Sequence, residues 1–162
     1  MYCLPLSSPS TEEKLNIFCK EIQQLDNSIR FVGIANNLGT SIATSYRNGL
    51  TPLMNEQETS HYAIQVVLRA ATREDFESKI GRLEYSIGKY ERLIRATVPI
   101  RLFGSNDDDD DEQSKFYYLL ISFDLKSAVI DIIEDKVMPF VEKNRENFVW
   151  MVNHNRYLID NN

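Results

Sequence analysis

Residues 116–123 read Phe-Tyr-Tyr-Leu-Leu-Ile-Ser-Phe, an almost uninterrupted apolar run, and no other stretch constrains the fold as strongly. A strand that is apolar on both faces has to be shielded on both, so it belongs at the middle of a sheet with further layers above and below. The remainder of the chain therefore has to supply those layers.

Residues 10–141 supply them in a definite order: helix, two strands, helix, three strands, helix. Ser10 and Glu13 have the S-x-x-E form of a capping box, and Leu15, Phe18, Ile22 and Leu25 follow at helical spacing before Asp26 and Asn27 end the element. From residue 30 to 36 the period becomes two, with Phe31, Val32 and Ile34 as its apolar residues. Asn36, Asn37, Leu38 and Gly39 form a turn cluster in which Gly or Asn can take positive φ. The return strand, 40–47, places Ile42, Thr44 and Tyr46 on one face and the small Ser41, Ala43 and Ser45 on the other, which leaves room for a close neighbour.

Gly49 and Pro52 mark 48–55 as a connection, and Asn55 with Glu58 opens a second helix whose apolar stripe is Ile64, Val67, Leu68 and Ala71. Its end has two readings: residues 72–75 cap a further short helix carrying Phe76 and Ile80, or the helix runs on to Gly81. Leu83, Tyr85 and Ile87 alternate in a third strand, with a turn at Gly88 and Lys89. Ile94, Ala96, Val98, Ile100 and Leu102 alternate in a fourth. Pro99 there implies a stretch with no hydrogen-bonding neighbour on its amide side. Asp124 is placed to cap the last helix, where Val129, Ile133, Val137 and Phe140 keep the helical period and Pro139 implies a kink or an early end. Setting the most apolar strand beside the 30–36 strand gives an α+β fold, a five-stranded antiparallel sheet of order 2-1-5-4-3 flanked by helices.

Residues 1–143 are expected to form a single α+β domain with an acidic loop at 104–114, kept extended by the mutual repulsion of five consecutive Asp at 107–111. The C-terminal extension, 144–162, carries Phe148, Val149, Trp150, Met151 and Val152 between polar flanks. It is too apolar to float freely, so it packs on its own domain or on a partner.

Hydrophobic residues at 43% and charged residues at 26% describe an ordinary globular chain, and the net charge of −6 argues against a sequence-independent grip on nucleic acid or an anionic membrane. With no basic, apolar leader and no apolar run near the roughly 18 residues of a spanning helix, the expected setting is the cytoplasm. Cys3 and Cys19 are then read as two reduced thiols, Cys19 in an apolar setting between Leu15 and Ile22. The chain lacks G-x-x-x-x-G-K-[ST], G-x-G-x-x-G and G-x-S-x-G, so neither enzymatic activity nor a cofactor is expected. An enzyme would need carboxylates converging in one cleft, which a sequence does not reveal. His61 and His154 stand far apart with no ligand spacing beside them, and the Asp run lacks the spaced carboxylates and Gly of a calcium loop, so no metal is expected.

Two features keep two readings each. Arg82, Lys89, Arg92, Arg95 and Arg101 gather positive charge on the third and fourth strands. They form either a surface for an anion or an acidic partner, or edge protection paired with Glu84 and Glu91. Residues 148–152 are either an interface anchor built on Phe148 and Trp150, or a last piece of core.

The element order resembles that of roadblock/LC7-like domains, which share their plan with profilin-like folds and more loosely with PAS and GAF sensors. Arg30-Phe31-Val32-Gly33, Asn36-Asn37-Leu38-Gly39, Tyr46-Arg47-Asn48-Gly49 and Pro52-Leu53-Met54-Asn55-Glu56 are also similar to a family of small archaeal (Thaumarchaeota-type) proteins, chiefly from ammonia-oxidising lineages. The roadblock likeness implies a non-enzymatic regulatory or scaffolding module, a homodimer or heterodimer that serves small GTPases, motors or other signalling proteins. In it the helix from Asn55, with His61, Ile64 and Leu68, and an edge strand make the self-association surface. Arg92, Arg95, Arg101, Phe148 and Trp150 are the residues to meet a partner. The PAS/GAF likeness implies instead a sensor holding a small molecule between the sheet and the helix from Asn55, beside the small face of Ser41, Ala43 and Ser45.

Overall fold

The computed structural model describes residues 8–102 and 115–159; the Asp run at 107–111 and Cys3 lie outside the described residues. Helix α1 (Thr11–Gln23) begins at a complete capping box: the Glu13 amide donates to Ser10 Oγ at 3.2 Å, and the Ser10 amide donates to Glu13 Oε2 at 2.8 Å. Strands β1 (Ile29–Asn36) and β2 (Ser41–Tyr46) form a hairpin. Its turn is closed by the Leu38 and Thr40 amides donating to Asn36 Oδ1 and by Gly39 at φ +80°. Helix α2 (Glu56–Glu74) repeats the capping box with Asn55 and Glu58, and a short α3 (Glu77–Ile80) follows. Strands β3 (Ser86–Lys89), β4 (Ile94–Leu102) and β5 (Lys115–Phe123) complete a sheet of order β2-β1-β5-β4-β3, antiparallel throughout.

The central place of β5 accounts for its composition. Tyr117, Leu119, Ile121 and Phe123 face a core shared with α1 and the C-terminal helices, while Tyr118 and Leu120 face a second core under α2. A strand with apolar partners on both sides has no face left for polar residues. Ala43 points into the α1 layer at 5% exposure, and the Thr44 amide donates to Asn16 Oδ1 of α1 at 3.3 Å. The close neighbour admitted by the small face of β2 is thus α1. Pro99 also lies where its missing amide matters least, because β3 pairs with β4 only from Ile94 to Thr97.

Three expectations are corrected. Gly88 and Lys89 lie within β3 rather than in a turn: the Ile87–Ala96 register moves the reversal onward to residues 90–93, where the Tyr90 amide donates to the Leu93 carbonyl at 2.9 Å. Leu83 and Tyr85 precede the strand, and the Tyr85 hydroxyl donates to Glu134 at 2.6 Å. Asp124 caps no helix. The next helix, α4 (Val129–Ile132), starts without a side-chain cap, and the Asp124 carboxylate is engaged by Arg30 and Arg47. Pro139 does not end the element either. The helix runs on through a π-helical turn (Ile133–Val137) directly into α5 (Met138–Lys143), and the distortion expected of Pro139 falls in that turn just before it, where the Met138 amide donates to the Ile133 carbonyl.

The chain then turns into α6 (Arg145–Ile159), whose Phe148, Met151 and Val152 join the α1-side core. The Phe148 ring packs on Phe18 at 5.3 Å and edge-on to Tyr117 at 5.6 Å. Phe148 has no exposed surface, so as a partner anchor it is corrected to a core residue. Among the described residues no helix is long and apolar enough to cross a membrane.

Candidate functional site

Helix α2 lies over the sheet on small side chains. Ala63, Val66 and Ala70 are buried, because the sheet beneath already presents the bulk of Phe31, Phe116, Tyr118 and Leu120. The larger Ile64 and Leu68 are consequently turned outward, 46% and 63% exposed, with His61 on the same outer side. The expected stripe of Ile64, Val67, Leu68 and Ala71 is therefore split, with Val67 packing partly inward. The β1–β2 turn approaches the outer side: a Cβ on Gly39 would lie 2.7 Å from the Ile64 Cα. Neighbouring Leu38 is 77% exposed and extends the apolar surface. On the other side of α2 runs β3, an edge strand that among the described residues pairs with β4 alone.

The basic residues of the third and fourth strands do not form one patch. Arg92 is exposed in the turn at 90–93. Arg101 is committed within the fold, paired with Glu77 of α3 and lying over the Phe116 ring at 5.1 Å. Arg95 reaches under α2, where its guanidinium covers the Tyr62 ring at 3.9 Å and stands 6.0 Å from Tyr90.

Two cavities flank Arg95 in the gap between α2 and the sheet. One, of about 50 Å³, is mainly apolar and is lined by residues such as Phe31, Leu53, Met54 and Leu120. The other, of about 100 Å³, lies towards β3 and is lined by Arg69 and Arg73 of α2, by Arg95, and by Tyr62, Tyr90 and Tyr118 among others. Neither borders Ser41, Ala43 or Ser45, and both fall well short of the roughly 300 Å³ at which small-molecule pockets begin. The observation that motivated a sensor on that small face is thereby removed. Arg69 and Arg73 were not singled out from sequence; their signal was the spacing Tyr62, Val66, Arg69, Ala70, Arg73, which puts two cations on a face otherwise turned inward.

Trp150 is 43% exposed on α6, stacked on His154 at 4.0 Å and covered by Lys14 Nζ at 4.5 Å, so it presents an amphipathic rim rather than a bare anchor. Cys19 has no exposed surface, and burial pushes its thiol up to about 12, which leaves it protonated and unreactive. Burial, and next Glu74, raise the Tyr118 phenol, which keeps it a hydrogen-bond donor. Among the described residues no group of three or more His, Cys, Asp and Glu side chains is arranged to hold a metal ion.

A five-stranded antiparallel sheet of this order, with helices on both faces and one helix beside an open edge, defines a roadblock/LC7-like fold. Solved structures with the same architecture include the gliding protein MglB of Thermus thermophilus, with TM-score 0.61 and 13% identity over 91% of this chain and 94% of that one. An MglB in a tetrameric arrangement superposes with TM-score 0.62 and 13% identity over 91% and 93% of the two chains. A roadblock/LC7 domain from Streptomyces avermitilis gives 0.57 and 9% over 83% and 98%. At these identities the likeness is one of fold. No family model and no curated protein matches the sequence.

Proposed function

We propose that the chain is a non-enzymatic regulatory or scaffolding module that self-associates through the outer face of α2 and the free edge of β3. The observation that carries this reading is the exposure of Ile64 and Leu68 on the outer side of α2, with Leu38 of the β1–β2 turn extending the same apolar surface. Apolar side chains grouped on one surface, like the open backbone edge of a strand, are what a self-complementary interface covers. The tetrameric arrangement described for an MglB, whose fold this chain shares, supports self-association. The roadblock resemblance supports a protein partner, a small GTPase or another signalling protein, met in the cytoplasm through Arg92 or the Trp150 rim.

Sedimentation velocity across a concentration series tests the reading. The full chain is expected to shift from monomer to dimer with increasing concentration, and Ile64→Asp combined with Leu68→Asp is expected to hold it monomeric with its unfolding midpoint little changed. A native chain that stays monomeric at high concentration, or a double variant that dimerises as well as the native chain, overturns it.

A further inference from the structure

The cleft between α2 and strands β3 and β4 gathers three guanidinium groups with no counter-charge among the described residues. Arg69, Arg73 and Arg95 line it, and none of the three forms an ion pair with a described residue. Arg69 has only the Gln65 side-chain oxygen at 3.2 Å, and Arg95 has Met54 Sδ and the faces of two tyrosine rings. Among the described residues no carboxylate lines this cavity: Glu74 and Glu77 line the smaller neighbouring one, where Arg101 takes Glu77. On a chain of net charge −6, where acids outnumber bases, a cavity whose charged lining residues are all cations is a departure from what chance placement gives.

A second observation is independent of charge. Tyr118 lines the same cavity, and no described residue hydrogen-bonds its hydroxyl; the oxygen is reached by solvent, since no buried side-chain nitrogen or oxygen among the described residues is left without a partner. Thr97, 9% exposed, adds a second hydroxyl on the β4 side. The cavity thus presents planar cationic forks together with hydroxyl donors, a set that matches a tetrahedral oxyanion. At about 100 Å³ it has room for one such group.

We infer that this cleft is an anion site for a single phosphate group, with Arg95 as its fixed cation, Arg69 and Arg73 as the exposed arms, and Tyr118 as a hydroxyl donor. The group arrives either as free inorganic phosphate or as the phosphate of a small monoester. The inference stands apart from the self-association reading, because occupancy is measurable whether the chain is monomeric or dimeric.

The test is isothermal titration calorimetry of the full chain with inorganic phosphate and, separately, with phenyl phosphate, each against sodium chloride of matched ionic strength. Saturable binding of either probe is expected, with Arg95→Gln weakening it by about tenfold or more and Tyr118→Phe weakening it by roughly threefold. The exposed pair Arg69→Gln and Arg73→Gln, which leaves the core untouched, is expected to weaken it by about tenfold, and Arg92→Gln outside the cavity to leave it unchanged. Tighter binding of phenyl phosphate assigns the site to a monoester, and equal or weaker binding assigns it to free phosphate. Absence of binding beyond the chloride control overturns the inference, as does binding that survives both the Arg95→Gln and the Arg69→Gln/Arg73→Gln variants.

Discussion

Arg47 grips both carboxylate oxygens of Asp124, at 2.6 and 3.2 Å, across 77 positions of sequence. Arg30 reaches the same carboxylate at 3.1 Å, and Arg47 also donates to the Asn27 carbonyl at 2.8 Å. One acid therefore ties the end of β5 to the start of β1 and to the residue that follows β2.

Asp124→Asn is expected to destabilise the fold. The Arg47 hydrogen bond, and after it Arg30, hold this carboxyl below its ordinary range, so its contribution is complete above the unfolded-state value and is lost as pH falls through the lower folded one. The side chain is 41% exposed, so screening reduces the effect to about 1–2 kcal/mol. Urea unfolding of both proteins at neutral pH measures it.

Asp26 gives a sharper acid signature. Hydrogen bonds from Lys136 and then Ser28 lower its carboxyl from 3.8 to about 2. A depressed folded value means stability that is present above about pH 4 and disappears between about pH 4 and 2. Asp26→Asn is expected to flatten the dependence of the thermal midpoint on pH in that window and to leave the dependence near neutrality as it was.

Gly39 and Gly49 separate two effects of a glycine substitution. Both have positive φ, +80° and +75°, but a Cβ at Gly39 would meet the Ile64 backbone at 2.7 Å, whereas none would be met within 4 Å at Gly49. Gly49→Ala is expected to cost about 1 kcal/mol of backbone strain, and Gly39→Ala roughly 2 kcal/mol or more, since α2 must shift as well. A Gly39→Ala loss no larger than that of Gly49→Ala in denaturant titrations would contradict the packing of the hairpin turn against α2.

The C-terminal helix offers a contrast within three residues. Phe148→Ala is expected to lose about 3–5 kcal/mol, as for a large aromatic removed from a close-packed core, while Trp150→Ala, on an exposed rim, is expected to lose under about 1 kcal/mol. Guanidinium unfolding followed by far-UV circular dichroism reads both.

Much of the sheet was legible because its signals are local. The capping boxes at Ser10 and Asn55 set where α1 and α2 begin, the turn at 36–39 closes the first hairpin, and the apolar run at 116–123 could only be central. The register of β3 was less legible: Leu83, Tyr85 and Ile87 alternate well, but the strand is defined by its pairing with Ala96 and its neighbours, and a weak four-residue edge strand follows its partner rather than its own pattern. The inward face of α2 was misjudged for a related reason. Helical periodicity marks Ile64 and Leu68 as the larger apolar residues, yet the sheet below already carries large rings, and the positions of α2 buried against it are the smaller Ala63, Val66 and Ala70.

The order of elements, the central strand and the absence of nucleotide-binding and hydrolase motifs were properties of the sequence alone, since periodicity, caps and turn residues act over a few positions. The joining of Asp124 to Arg30 and Arg47, the withdrawal of Phe148 into the core and the meeting of Arg69, Arg73 and Arg95 beside Tyr118 were settled only by tertiary structure. Those contacts depend on which faces of distant elements come to lie together, and that follows from volume and charge complementarity across the whole core rather than from any local pattern.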